Sequence, residues 1–252
     1  MVWYSSLKDG NRIVVSKNGP YLVSGNMPLS IMVVTTNNEG VSWEWKQGKR
    51  FVTTPEYKLC RCGQSKEQPF CDDACKTNPF DGTETASRES YASRQETFEG
   101  PYFAMQDVGE LCSHARFCMA AGTIWHLLKL NGEEARELVI REANNCPSGR
   151  LTLKSAKSGE SAEHRLSPSI GIVEDTGKGC SGPLWARGGI RIESEDGSPY
   201  ETRNRVTLCR CGASTNKPFC SGNHKKVMFV DGLMEFRSGR IKRGLTRPEP
   251  SS

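Results

Sequence analysis

The sequence of 252 residues lacks several features that would indicate a class of function. No stretch is apolar for long enough to span a bilayer, and the first residues lack the apolar run of a signal peptide. No glycine-rich phosphate loop and no nucleophile elbow occurs, so no motif indicates an enzyme. The formal net charge of +5 is too mild to indicate nucleic acid as a partner. We therefore expect a cytoplasmic protein that is not an enzyme and binds neither membranes nor nucleic acid.

What the chain has in quantity is cysteine, at eleven positions. In a reducing cytoplasm, cysteines in such number indicate metal ligands rather than disulfides, and the odd count fits a ligand set better than complete pairs. Seven of them lie in two segments that nearly repeat each other. These segments read "LCRCGQSKEQPFCDDAC" at residues 59–75 and "LCRCGASTNKPFCSGNH" at residues 208–224.

The repetition extends beyond the cysteines. Each segment is preceded by Gly-Pro, a short apolar strand, a glycine and another strand, and it is followed by a phenylalanine and Asp-Gly. Apolar residues between the repeats have helical spacing. The sequence therefore predicts an α+β fold with two duplicated β-rich halves. We expect a first half at 1–85, a helical insert at 86–166, a second half at 167–240 and a basic, disordered tail at 241–252.

The spacing of the cysteines indicates how they bind metal. Cys209 and Cys211 lie on the same side of an extended strand, whereas Cys220 and His224 are neighbours on a helical turn. Two ligands on one metal and two on a second is the layout of a [2Fe–2S] cluster. A tetrahedral zinc ion is the alternative, in a zinc-stabilised structural or interaction module. Zinc sites usually separate paired cysteines by about two to four residues, whereas here only one intervenes, so the spacing disfavours zinc without excluding it.

The motif Cys-x-Cys, Ser or Thr, Pro-x-Cys, three residues and His resembles the CDGSH iron–sulfur domain family. The second copy has a residue of the right type at every ligand position, with Ser-Gly-Asn at 221–223 in place of Asp-Gly-Ser. The first copy keeps the aspartate as Asp72 but has Cys75 where the family has histidine. The resemblance implies a strand-exchanged β-cradle, here as a pseudo-twofold dimer fused in one monomeric chain.

The same resemblance implies two [2Fe–2S] clusters and assigns their ligands. In the second half, the inner iron takes Cys209 and Cys211, and the outer iron takes Cys220 and His224. In the first half, the inner iron takes Cys60 and Cys62, and the outer iron takes Cys71. Such a protein is expected to act in electron transfer or cluster transfer, with a redox or cluster-acceptor protein as its partner.

Cys75 makes the two sites chemically unequal. A thiolate is a good iron ligand, so we expect Cys75 to complete a four-cysteine site. Imidazole is neutral where thiolate is negative, and imidazole ligands raise the potential of such clusters. Free imidazole also takes a proton near pH ~6.5. We therefore predict that the His224 cluster has the higher potential and is the more acid-labile.

The insert carries cysteines of its own. "CSHARFC" and the later "NNCPSG" resemble a divergent single-cluster ferredoxin module, but the cysteine usual between the first two is replaced by Ala115. Three thiols at this spacing are enough for a [3Fe–4S] cluster, so a third cluster at Cys112, Cys118 and Cys146 is chemically allowed. The missing ligand favours a relic domain whose thiols are buried apolar groups.

Overall fold

The structure, a computed structural model, describes residues 10–233. The predicted tail at 241–252 lies outside these residues. The first half contains five strands and one short helix, and its strands are rich in β-branched residues with alternating burial at β1. The elements are β1 Arg12–Val15, β2 Tyr21–Ser24, β3 Leu29–Thr36, β4 Ser42–Phe51, β5 Glu56–Leu59 and α1 Ala74–Thr77.

The insert combines helices with a small sheet. Strands β6, β7 and β8 pair antiparallel in that order, and the helices cover them around Met105, Ile124 and Val139. The prediction of a helical insert holds for Ile124–Leu127 and Glu133–Asn145 and misses the sheet, where period-two patterning at 96–107 and 151–155 produces strands. The elements are α2 Tyr91–Arg94, β6 Glu96–Glu99, β7 Phe103–Asp107, 3₁₀ turns Gly109–Leu111 and Phe117–Met119, α3 Ile124–Leu127, α4 Glu133–Asn145 and β8 Leu151–Ser155.

The second half is built from four strands, β9 Ser169–Asp175, β10 Cys180–Arg187, β11 Arg191–Ser194 and β12 Arg205–Leu208. It does not form a sheet by itself. One sheet has the order β11-β1-β2-β5 and the other has the order β12-β10-β9-β3-β4. Each sheet therefore contains at least one strand supplied by the opposite half.

The supplied strands pair in parallel with strands of the half that receives them. Ile13 of β1 lies opposite Ile192 of β11, and Leu29 of β3 lies opposite Ile170 of β9. The apolar sides of these strands pack into one core shared by both halves. Because Ile13, Tyr21 and Ile172 are all buried there, neither half keeps a complete core without the other.

The insert is attached through an aromatic cluster. The ring centroid of Trp45 on β4 lies 4.8 Å from that of Phe117 and 4.7 Å from that of Trp185 on β10. The Trp45 indole N–H also donates to the carbonyl oxygen of Asn145 at 3.0 Å.

Among residues 10–233, no helix is long and apolar enough to cross a membrane.

Candidate metal centres

The first centre begins where β5 ends. Cys60 and Cys62 are buried, and their Sγ atoms lie 3.7 Å apart. At metal–sulfur bonds of about 2.3 Å and tetrahedral angles, two sulfurs on one metal lie about 3.8 Å apart. The two thiols are therefore already spaced as ligands of a single metal ion.

Cys71 and Cys75 complete this centre. Cys75 is buried on α1 and forms one cluster with Cys60 and Cys62, against which Cys71 and Phe80 pack. The main-chain N–H of Asp73 lies 3.4 Å from Cys71 Sγ. The structure thus brings the four predicted residues of the first half together in one place.

The second centre repeats this arrangement after β12. The Sγ atoms of Cys209 and Cys211 lie 3.8 Å apart. Cys220 Sγ lies 3.4 Å from Nδ1 of His224, close to the spacing of about 3.6 Å expected for a sulfur and an imidazole nitrogen on one metal. The N–H of Gly222 points at Cys220 Sγ at 3.3 Å.

The shortest contacts between ligand atoms join them in pairs, namely Cys60 with Cys62, Cys209 with Cys211, and Cys220 with His224. Within residues 10–233, no three His, Cys, Asp or Glu side chains are placed to hold one metal ion. A zinc site needs about four such groups around one ion. A [2Fe–2S] cluster instead shares about four protein ligands between two irons. The paired arrangement matches this second requirement.

The two loops between the cysteine pairs have the same hydrogen bonds. Ser65 Oγ donates to the carbonyl oxygen of Phe70 at 2.6 Å, and Ser214 Oγ donates to that of Phe219 at 2.6 Å. The carbonyl groups of Pro69 and Pro218, both after cis peptide bonds, accept from the N–H groups of Cys60 and Cys209. The serine or threonine of the motif and its proline therefore shape the loop rather than bind metal.

The two centres also touch each other through glycines. Gly63 has φ +77°, and a Cβ there would lie 2.9 Å from the carbonyl oxygen of Cys211. Gly212 has φ +76°, and a Cβ there would lie 2.6 Å from that of Cys62. Only glycine fits both the backbone angle and the contact, so the metal-binding segments lie back to back across the interface between the halves.

Hydrogen bonding and burial set the pKa values of the thiols. The Cys62 thiol, with the N–H groups of Ser65 and Gly63, lowers the pKa of Cys60 to about 6, and the same sulfur pair raises that of Cys62. Cys211 likewise lowers the pKa of Cys209 to about 6. One thiol of each pair therefore loses its proton more readily than the other, and the thiolate is the form that binds metal.

The insert covers the second centre. His224 is only 3% exposed, and burial together with the charge of Lys225 lowers its pKa to about 4. The ammonium of Lys225 donates to the carbonyl oxygen of His114 and lies 3.4 Å from Asp175, which also pairs with Arg116 at 2.9 Å. Beside the first centre, Lys76 is exposed and Asp73 is partly exposed.

The three thiols of the insert also come together. Cys112, Cys118 and Cys146 line one cavity of about 20 Å³, beside Arg150. Burial raises the pKa of Cys118 to about 12, and the nearby thiols of Cys146 and Cys112 contribute to the same shift. Arg150 pairs with Asp107 at 2.6 Å at the edge of this group.

Sequence reasoning missed two buried arginines, Arg61 and Arg210, and the carboxylates Glu174 and Asp231 that contact the latter. The only signal is that arginine stands between the cysteines of both Cys-x-Cys pairs.

Two protein families match this chain. The family described as iron-binding zinc finger, CDGSH type, matches residues 18–74 and again residues 181–225. The family described as divergent 4Fe-4S mono-cluster matches residues 98–156, between the two repeats. No curated protein and no solved structure matches the chain significantly.

These matches, with the paired ligands, define an iron–sulfur protein. The chain is a tandem member of the CDGSH iron–sulfur domain family, with a divergent 4Fe-4S region inserted between its two repeats. The family resemblance predicted from the two motifs is thereby confirmed.

Proposed function

We propose that the chain holds two [2Fe–2S] clusters and carries electrons, or donates clusters, to a partner protein. The observation that supports this best is the pairing of ligands at two centres, at spacings of 3.7 and 3.8 Å between the first two sulfurs. The first cluster is held by Cys60, Cys62, Cys71 and Cys75, and the second by Cys209, Cys211, Cys220 and His224. When bound, such a cluster accepts and returns one electron.

We propose further that the two halves form a pseudo-twofold dimer within one monomeric chain. The exchange of strands between the two sheets, each with at least one strand from the opposite half, supports this arrangement. The functional units are then residues 1–85 and 167–240, with the insert at 86–166 between them. The number of cysteines supports a reducing, cytoplasmic setting, and no described feature requires an enzymatic role.

The two clusters differ by one ligand, so we propose that the His224 cluster has the higher potential and is lost first in acid. The ligand difference supports the order of potentials. Burial lowers the pKa of His224 to about 4. Acid should therefore release the second cluster at a lower pH than the pKa of a free imidazole suggests. Solvent must also reach His224 beneath the insert before the ring is protonated.

The insert has two candidate roles. The position of Cys112, Cys118 and Cys146 around one cavity is the observation in favour of a third cluster, although no three ligand-type side chains of residues 10–233 are placed to hold one metal ion. The absence of a fourth cysteine, with Ala115 at the usual position, favours a relic domain that serves as a cover for the second centre. We retain the relic domain as the proposal, and the iron count distinguishes the two.

These proposals are tested by measuring iron, zinc and acid-labile sulfide per chain in anaerobically purified protein. About four irons and matching sulfide per chain are expected for two [2Fe–2S] clusters. Cys60→Ala and Cys209→Ala should each remove about half of both. About seven irons would add a cluster at the insert, and Cys118→Ala would then lose about three. Stoichiometric zinc without sulfide would replace the redox proposal by a zinc-stabilised module.

A further inference from the structure

Each Cys-x-Cys pair encloses a fully buried arginine. Arg61 lies between Cys60 and Cys62, and Arg210 lies between Cys209 and Cys211; both are 1% exposed. A guanidinium remains charged throughout the range of pH in which proteins work. Burial of such a charge is unfavourable unless hydrogen bonds and opposite charges compensate it. The compensation differs between the two halves.

Arg210 is compensated by two carboxylates. Its Nη2 donates to Glu174 Oε1 at 2.7 Å and its Nη1 donates to Asp231, and both acidic side chains are 0% exposed. The carbonyl oxygens of Gly182 and Val173 accept further bonds at 2.7 and 3.1 Å. The second centre therefore stands beside a buried group in which carboxylates outnumber the cation.

Arg61 is compensated by neutral groups. It donates to the carbonyl oxygens of Ser16, at 2.9 Å, and of Gly82. Its guanidinium carbon lies 5.7 Å from the ring centroid of Tyr21 and 5.6 Å from that of Phe80. Within residues 10–233, no carboxylate forms an ion pair with Arg61. The first centre therefore stands beside a buried cation.

One inserted residue accounts for much of this difference. The first half reads Phe80-Asp81-Gly82, whereas the second reads Phe229-Val230-Asp231-Gly232. Asp81 is exposed and accepts a bond from the N–H of Thr83 at 2.9 Å. With Val230 added, the corresponding aspartate of the second half lies inside, against Arg210.

Both buried groups lie close to the ligands. Phe80 lies over Arg61 and packs against the cysteines of the first centre. Phe229 lies 5.3 Å from the Arg210 guanidinium, and its N–H donates to the carbonyl oxygen of His224 at 2.9 Å.

The charges oppose the difference between the ligand sets. The four-thiolate set has one negative charge more than the set with His224, and it faces a buried cation that forms no ion pair with a carboxylate of residues 10–233. The set with His224 faces three cations and three carboxylates, because Lys225 and Arg116 share Asp175 beside the group formed by Arg210 and its two carboxylates. We propose that Glu174 and Asp231 lower the reduction potential of the second cluster, that Arg61 raises that of the first, and that these residues thereby reduce the difference in potential that the ligands create. This inference rests on the proposed pair of [2Fe–2S] clusters.

Similar reduction potentials would affect electron exchange between the two centres. Their cysteine segments are in contact at Gly63 and Gly212, and electron exchange between neighbouring centres is easiest when their potentials are similar. The buried charges would let one electron be shared between unlike clusters, rather than remain on the one held by His224.

The test is a spectroelectrochemical titration of the full-length protein at pH 8. Burial raises the pKa of Glu174 to about 7, so at pH 8 it is mostly ionised. Glu174→Gln and Asp231→Asn should each raise the potential of the second cluster and leave the first unchanged. A tenfold change in its reduction equilibrium constant, about 59 mV for one electron, is expected. Asp81→Asn, the exposed counterpart in the first half, is the matched control and should shift neither cluster.

The first half provides an independent test. Arg61→Gln should lower the potential of the first cluster, whereas Arg61→Lys should preserve it. Iron and sulfide are measured for every variant. Potentials that do not move in loaded variants would overturn the proposal. If the Glu174, Asp231 and Arg61 variants all lose iron, these residues have a structural role. That result would also overturn the proposal. A wild-type protein with zinc and no sulfide would instead refute the proposed clusters, before any variant is compared.

Discussion

At the scale of single residues, Cys75 and His224 occupy the same place in two similar loops, so exchanging them isolates the effect of one ligand. Cys75→His should raise the potential of the first cluster, and His224→Cys should lower that of the second, because imidazole adds no negative charge to its iron. Potentials measured by spectroelectrochemistry would check this. The iron content of each variant serves as the control, and a shift in the opposite direction would refute the ligand assignment.

Glu142 on α4 shows how a buried carboxylate makes the insert sensitive to pH. Its Oε1 accepts from the N–H of Ala121 at 2.9 Å, Oε2 has no hydrogen-bond partner among the described residues, and burial raises its pKa from 4.5 to about 7. The unfolded chain loses this proton near pH 4.5, but the folded protein keeps it until about pH 7. The contribution of Glu142 to stability is therefore greatest at low pH and is lost as pH rises through 7.

Glu142→Gln should remove this dependence, because the amide keeps an acceptor for Ala121 and cannot ionise. At pH 8 the variant should be more stable than wild type by up to about 3 kcal/mol, and at pH 5 by only about 1 kcal/mol. Urea unfolding at both pH values measures this. Glu137→Gln, an exposed change on the same helix, should show no such dependence. A gain that is equal at pH 5 and pH 8 would contradict the assignment.

At the scale of elements, the contact between the two metal-binding segments depends on glycine. Gly63 and Gly40 share φ +77°, but of the two only Gly63 has atoms within 4 Å of where an added Cβ would lie, those of the Cys211 backbone. Alanine at either position should be destabilising by about 1 kcal/mol through the backbone angle alone. Gly63→Ala should lose a further 1–3 kcal/mol, roughly, through the clash.

Thermal or urea unfolding of Gly63→Ala and Gly40→Ala measures the difference, and Gly40→Ala serves as the matched control for backbone strain. Equal losses in the two variants would show that the segments do not touch. A Gly63→Ala variant that also loses iron would agree with a contact that positions Cys62 and Cys211.

The elements also show where sequence reasoning succeeds. Gly-Pro and the two apolar segments that follow it predict strands β2, β3, β10 and β11. The spacing of the cysteines predicts that Cys60 lies beside Cys62 and Cys209 beside Cys211. The sheet of the insert is missed, because helical periodicity at 124–145 dominates the pattern of the whole segment. The partners of Arg210 cannot be predicted, since Glu174 lies 36 residues away and meets it only through the pairing of strands.

At the scale of the whole molecule, strand exchange makes each half depend on the other. Tyr21 of the first half is buried, and its hydroxyl donates to the carbonyl oxygens of Cys209, at 2.7 Å, and Pro218, at 3.0 Å. Strand β1 pairs with β11, and β3 pairs with β9. Removing the second half would therefore expose the core faces of the first and leave the Tyr21 hydroxyl without its acceptors.

Residues 1–85 expressed alone should not form a folded monomer. Either no cooperative unfolding or a dimer of first halves is expected, because the missing strand and core must come from a second copy. Light scattering coupled to gel filtration, with thermal unfolding, distinguishes these outcomes. The control is the full chain cleaved at a protease site placed in the exposed turn at 157–160, which should remain associated because the exchanged strands hold it together. A first half that is monomeric and unfolds as cooperatively as the whole chain would refute the dependence, because its core would then be complete without β11 and β9.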